Sequence, residues 1–234
     1  MTRPAARTTG ALTAVAIAGA VAALLAGCAT APHDGTDAGP APRATAGTLG
    51  TGFSDPDHPP APEATITPAP GSWSGVHPPA DYRVVLLSDR GDTRDSAAAR
   101  TLVDAVDSWA AAEDVTVTEV EAATPDDRIA AVTRAVHEGA DLVVSVGNDM
   151  VDPVAAVSPT ALHQPFLVLG AEIAEPTSNV TAADWTGGGF RGEGLGPSSH
   201  YDPSTFTDER AGRALRAGVA AALHDLSGTV VWVD

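Results

Sequence analysis

Five aspartates stand where a parallel sheet would bring them together. Asp89, Asp92 and Asp95 follow the apolar run Val84, Val85, Leu86 and Leu87, while Asp149 and Asp152 follow Leu142, Val143, Val144 and Val146. Short, nearly unbroken apolar runs are how strands buried on both faces read. In open α/β sheets ligands sit beyond the carboxyl ends of such strands, so these carboxylates could converge on a cation or accept hydrogen bonds from ligand hydroxyls. Helix capping is the competing role for Asp92 and Asp152. The second run is the organising one: Gly139 precedes it, Gly147 ends it, and Asn148, Asp149 and Asp152 turn the chain polar at once. Pro153 would suit the first position of a helix capped by Asp152.

Other chemistries are poorly supplied. The seven histidines, at 33, 58, 77, 137, 163, 200 and 224, form no H-x-x-x-H pair, and the single cysteine, Cys28, lies far from the strands. A zinc site and an intramolecular disulfide are therefore not expected. No serine occupies a G-x-S-x-G turn, so a nucleophilic hydrolase has no visible nucleophile. The glycines of G-G-G-F-R-G-E-G-L-G at 187–196 do not join a strand directly to a helix. A surface loop is expected there, not a dinucleotide fingerprint. Thirty acidic residues against thirteen basic ones, all arginine, give a formal charge of −17, which repels nucleic acid phosphates and anionic headgroups. The expectation is a protein that is not an enzyme and holds no cofactor or metal. The alternative is an acidic metal-binding or enzymatic domain that uses the strand-end aspartates.

The elements that must position these residues alternate. Strands are predicted near 82–87, 115–120, 142–146, 166–169, 180–185 and 229–234. Between them, a helix capped by Asp92 or Thr93 would face the sheet with Leu102, Val106 and Trp109. A second, capped by Thr124 with Pro125 in its first turn, would turn Ile129, Val132 and Val136 inward and stop at Gly139. A short helix follows through Val154 and Val157. A longer one over 207–226 carries Ala211, Leu215, Val219, Ala222 and Leu226 on one face. This alternation predicts an α/β fold with a parallel sheet and helices on both faces. The last strand has no following element. It is expected either to pair with a second copy, as a homodimer through the C-terminal strand, or to fold back onto its own sheet.

The first third reads differently. Arg3 and Arg7 precede an uncharged apolar run over 11–26, the n-region and h-region of a secretory signal, and Leu25-Ala26-Gly27-Cys28 resembles a bacterial lipobox. Residues 1–27 are thus expected to be a lipoprotein signal peptide, with Cys28 lipidated on the extracytoplasmic face of the cell membrane. Residues 29–80 hold eleven of the nineteen prolines, so 28–80 is expected to be a lipidated cysteine and a disordered spacer, with Trp73 loosely held. The domain proper would run over 81–234.

Taken together, the lipobox, the spacer, V-V-L-L-S-D-R-G-D-T-R-D, G-A-D-L-V-V-S-V-G, P-F-L-V-L-G, N-V-T-A-A-D-W and D-E-R-A-G-R-A-L-R-A-G-V-A-A-A-L-H-D-L-S-G-T-V-V-W-V-D resemble the basic membrane protein family over about residues 82–234. That family comprises substrate-binding lipoproteins of ABC transporters, many for purine nucleosides, built like type 1 periplasmic binding proteins. The resemblance implies a small-molecule solute and an ABC permease as partners. It matches Asp89, Gly91 and Asp95 to the family's first strand-to-helix loop, and Gly147 and Asp152 to its third; Asn148 and Asp149 lie in that same turn. Ser96, Ala97, Ala98 and Ala99 stand where the family's first loop usually has Lys, Ser, Phe and Asn, and only one lobe of the two is matched. A degenerate solute-binding component and an interaction module without ligand both remain compatible with that pattern.

The anchor is directly testable. Labelled palmitate should enter the full-length chain and vanish on Cys28→Ala; equal labelling and membrane retention of the variant would refute the lipid anchor.

Overall fold

A computed structural model of the chain describes residues 46–89, 96–189 and 200–234. The lipobox, Cys28 and the caps Asp92 and Thr93 lie outside them, as does most of the glycine-rich loop. In chain order the elements are β1 (Thr65–Ile66), β2 (Arg83–Asp89), α1 (Ser96–Glu113), β3 (Thr116–Ala122), α2 (Arg128–His137) and β4 (Leu142–Val146). Then come α3 (Val151–Val157), β5 (Phe166–Leu169), β6 (Val180–Asp184), α4 (Asp208–Leu223) and β7 (Val230–Trp232). All seven strands run parallel in one sheet, in the order β1-β7-β6-β5-β4-β2-β3. The expected α/β class is the observed one.

Strand alternation splits the core in two. Val84, Leu86, Leu142, Val144 and Leu167 point to the face covered by Leu102, Val106 and Trp109 of α1 and Ala211, Leu215 and Val219 of α4. Val85, Leu87, Val143, Phe166 and Val168 point to the face covered by α2 and α3. Because every strand of this interior is wrapped on both sides, its apolar runs are continuous. Small residues let α4 approach closely: a Cβ on Gly218 would stand 2.6 Å from Leu167 Cδ1. Thr207 caps α4 through Oγ1, which accepts from the Arg210 amide at 3.3 Å.

Several local expectations shift. A 3-10 turn over Pro125–Asp127 intervenes before α2, and Thr124 makes no side-chain cap bond. Ile129 is consequently rotated outward, 48 % exposed, while Ala131, Val132 and Ala135 face the sheet. A second such turn, Asn148–Met150, starts α3 earlier than expected, so Asp152 and Pro153 lie inside its first turn and Asp152 is not the cap. Among the described residues no helix is long and apolar enough to cross a membrane.

The largest correction concerns residues 46–80. They are not a free spacer: Phe53 is 1 % and Trp73 is 7 % exposed, both within the core on the α1/α4 face. The segment doubles back on itself through a bridge between Gly47 and Val76 and the Gly50 amide's bond to Ser72 carbonyl. It then lays β1 beside β7, pairing Thr65 with Val230 and Ile66 with Val231. His77 Nδ1 reaches Glu113 Oε2 at the end of α1, 2.8 Å away. A proline-rich stretch can order when a few large side chains enter a core and neighbouring strands supply its backbone bonds. The folded unit therefore extends at least to residue 46, not 81.

The same pairing settles the C-terminal strand. β7 lies between β6 and β1, with its hydrogen-bonding edges occupied on both sides, so the homodimer through this strand has no free edge to form on. Folding back onto the chain's own sheet is what occurs.

Phe53→Ala in the full chain should cost about 3 kcal/mol, the usual loss for a buried phenyl ring, and lower the urea midpoint accordingly. A change within about 0.5 kcal/mol, typical of surface substitutions, would show that the arm does not belong to the cooperative unit.

Candidate functional site

The strand order places β2 between β3 and β4, with chain connections leaving β2 toward β3 on one side and the sheet continuing through β4 on the other. This reversal is the topological switch point, where crevices open in doubly wound sheets. Asp89 ends β2 and Asp149 lies in the turn after β4, so two of the predicted aspartates do flank it. Gly147 makes the turn possible by adopting φ of 91°, and its carbonyl accepts the Met150 amide at 3.2 Å. Asn148 begins that turn. Asp152 sits one residue into α3. Gly91, Asp95 and Asp92 fall outside the described residues.

What joins Asp89 to Asp149 is Arg128, which the sequence reading did not single out. Its Nε donates to Asp89 Oδ2 at 2.6 Å and its Nη2 lies 2.5 Å from the same oxygen, while Nη2 also donates to Asp149 Oδ2 at 2.8 Å. The side chains become more open along the series, 7 % exposed for Asp89, 20 % for Arg128 and 35 % for Asp149. Such charge-assisted bonds are shorter and stronger than neutral ones. Arg128 is the first residue of α2, where a cation meets the unfavourable end of the helix dipole, so the carboxylates must more than offset that placement. A signal was present in T-P-D-D-R: one arginine at a helix start that carries two aspartates of its own.

The guanidinium occupies the position a cation would take between the two aspartates. Among the described residues no group of three or more His, Cys, Asp or Glu side chains is arranged to hold a metal ion. The arrangement instead presents two carboxylates joined by one guanidinium, with Asp149 the more accessible of the pair. It is suited to hydrogen bonds with a neutral, hydroxyl-bearing molecule.

A further carboxylate at the same edge was also missed. Asp184, the last residue of β6, is wholly buried and accepts from the Gly189 amide at 2.9 Å through Oδ2. Burial pushes its pKa up to about 7 against the pull of the Gly189 and Trp185 amides, and the neighbouring charges of Glu172 and Asp234 push the same way. Only the alternation within N-V-T-A-A-D-W hinted that this residue would end a buried strand. A cavity of about 600 Å³ lies elsewhere. It opens at the amino ends of the strands between Gly47, Asp81, Tyr82, Asp141, His163 and Asp225, a gap where the N-terminal arm passes under the sheet, and contains none of the strand-end aspartates.

No family model matches the chain, and no curated protein matches it. Solved structures do. The chain is similar to a lipoprotein fragment from Peptoclostridium difficile 630 at 16% identity, covering 62% of this chain and 99% of that one with a TM-score of 0.46. It is also similar to ABC transporter solute-binding proteins from Aeropyrum pernix K1 and from Conexibacter woesei DSM 14684. The first is 22% identical, covering 45% of this chain and 29% of that one at a TM-score of 0.41. The second is 21% identical, covering 45% and 35% at 0.36. This chain thus spans about a third of the length of those two proteins.

Arg128→Ala would remove the guanidinium that Asp89 and Asp149 share. Fully buried pairs lose more when broken, but the partial exposure here allows water to help, so a loss of about 2 kcal/mol in urea unfolding at neutral pH is expected. Adding Asp89→Asn to that variant should recover part of it. An unchanged midpoint in Arg128→Ala would mean that the three groups are merely solvated neighbours.

Proposed function

We propose that this chain is an extracytoplasmic lipoprotein, anchored through Cys28, whose α/β domain resembles one lobe of a type 1 periplasmic binding protein and holds a small solute for an ABC permease. The observation that carries this reading is the position of the Asp89–Arg128–Asp149 cluster at the switch point between the carboxyl ends of β2 and β4. Arg128 orients both carboxylates, Asp89 from a buried position and Asp149 from an accessible one. A solute hydroxyl would donate to Asp149, and a solute acceptor would face the Arg128 guanidinium. Gly147 keeps the backbone turn tight enough for Asn148 and Asp149 to reach the crevice. Gly91, Asp95 and Asp152 complete the set of proposed contacts, from the resemblance of the two strand-to-helix loops to those of the basic membrane protein family.

A purine nucleoside is the finer form of this proposal, since its ribose supplies hydroxyls and its base supplies acceptors. The competing reading, a divalent cation on the aspartates, is disfavoured because a guanidinium already bridges Asp89 and Asp149.

Calorimetric titration of the full-length chain with adenosine, guanosine, inosine and ribose should reveal binding by at least one. Asp149→Asn should weaken it about tenfold, the equivalent of about 1.4 kcal/mol for one charge-assisted hydrogen bond. Heat from Mg²⁺ or Ca²⁺ that disappears in Asp149→Asn, with none from the nucleosides or sugar, would overturn the solute reading in favour of the cation.

A further inference from the structure

The carboxyl end of β6 holds an acid in an unusual setting. Asp184 is wholly buried, and its Oδ1 has no hydrogen-bond partner. The chain immediately after it folds back over that oxygen: the Gly188 amide donates to the Trp185 carbonyl at 3.0 Å, and Gly189 donates to Asp184 Oδ2. The fit is close enough that a Cβ on Gly188 would fall 1.8 Å from Oδ1. On its other side the turn rests on the segment leading into α4. A Cβ on Gly187 would stand 2.5 Å from Thr205 Oγ1, the same hydroxyl that accepts from Trp185 Nε1 at 3.0 Å, and the Gly187 carbonyl accepts the Asp202 amide at 2.8 Å.

Like charges surround this acid. Glu172, itself buried, follows β5, and Asp234 follows β7. Asp234 is committed to the amide and hydroxyl of Thr186 and to Trp232 Nε1, at 3.0, 3.2 and 2.9 Å. Burial raises its pKa, but those bonds, with Arg210 of α4 nearby, outweigh burial and leave it below the ordinary value, so it is ionised at neutral pH. Arg210 acts on Asp234 through its charge, and Asp184 Oδ1 accepts no bond from it. Arg213, the next arginine on α4, pairs with Glu209 at 3.0 Å, and Asp202, whose pKa is lowered by its bonds to Ser204 and by His200, lies beyond Gly187. No cation among the described residues pairs with Asp184.

We propose that Asp184 is a proton-operated latch: protonated, it seats the 187–189 turn on the end of β6, and ionised, it loosens that turn at the solute-facing edge of the sheet. The reasoning is electrostatic. An ionised Asp184 would place a charge in the interior with the Gly189 amide on Oδ2 and the Trp185 amide nearby as its only help, a glycine methylene against Oδ1, and two carboxylates on the neighbouring strand ends. Opening the turn admits water to Oδ1 and relieves that charge. A proton achieves the same neutrality without opening. Stability linked to Asp184 is thus fully present below the unfolded value of 3.8 and is lost as pH rises through about 7. In the extracytoplasmic placement proposed above, on which this point rests, the domain would meet such pH changes directly, and the turn follows β6 at once.

The test follows the Gly189 amide and the Asp184 carboxyl carbon by NMR in the isotopically labelled full-length chain. The carboxyl should titrate near neutrality. Hydrogen-exchange protection at Gly189, corrected for intrinsic rates, should fall about thirtyfold between about pH 5.5 and 8.5, the linkage expected when an open form has an ordinary carboxyl pKa. In Asp184→Asn the protection should be independent of pH. Glu172→Gln, which removes one like charge and leaves Asp184 in place, should move the fall to lower pH. A wild-type carboxyl that titrates near 4, protection that falls equally in Asp184→Asn, or an unmoved transition in Glu172→Gln would each overturn the latch.

Discussion

Because every strand of the sheet runs the same way, every strand delivers its carboxyl end to one edge, and in this chain five of the seven ends are acidic. Asp89 closes β2, Asp149 follows β4, Glu172 follows β5, Asp184 closes β6 and Asp234 follows β7. A parallel arrangement with helices on both faces leaves such groups little room to spread. Their mutual repulsion has to be answered locally, and two answers appear. Between β2 and β4 a guanidinium is inserted; at β6 the interior favours the neutral acid.

The other demand of a parallel sheet is that its last strands be covered. β7 would be an apolar edge were it not for the arm over residues 46–80, which contributes only the two-residue β1 to the sheet. Its hold comes mainly from elsewhere. Phe53 and Trp73 enter the core on the face of α1 and α4, and the Glu63 amide bonds the Gly228 carbonyl at 2.7 Å just before the strands meet. Very short edge strands are one way proteins blunt pairing with other chains. At the opposite edge β3 carries Glu119 and Glu121, whose charge has the same effect. Both ends of the sheet are thereby closed to extension, by different means.

The fold was largely legible because its signals were local and agreed with one another. The runs at 84–87 and 166–169 are apolar on successive residues and that at 142–146 is broken only by Ser145, as strands covered on both sides read, and all three form interior strands of the sheet. Boundaries were less so. Pro125 signals a helix start, but three residues of 3-10 geometry precede α2 and rotate Ile129 to solvent, a choice made by packing of Ala131, Val132 and Ala135 and not by local propensity. The arm was misjudged because composition counts prolines and small residues, whereas order here depends on where two aromatic side chains find space, which is a property of the finished core. At the edge, Asp89 and Asp149 could be paired from sequence by assuming adjacent strand ends. Arg128 could not, since its reach across both follows from the angle at which α2 begins.

The two forms of charge compensation differ in what they permit. Arginine remains protonated at any pH the protein would meet, so the cation that joins β2 to β4 is not switched by a proton of its own. A proton on a buried carboxyl is conditional, present or absent according to the solution outside. The formal charge of −17 counts Asp184 as ionised, although in the folded state that charge is suppressed until pH approaches neutrality. One edge therefore combines an arginine-bridged centre at the switch point with a titratable group two strands away. Because Asp184 and Glu172 follow adjacent strands, and β5 also pairs with β4, any movement that relieves Asp184 occurs next to that centre and not within it. The parallel sheet keeps the two separate: β4 and β5 are bonded along four residue pairs, which transmits position but leaves the turns beyond their ends free to answer local charge.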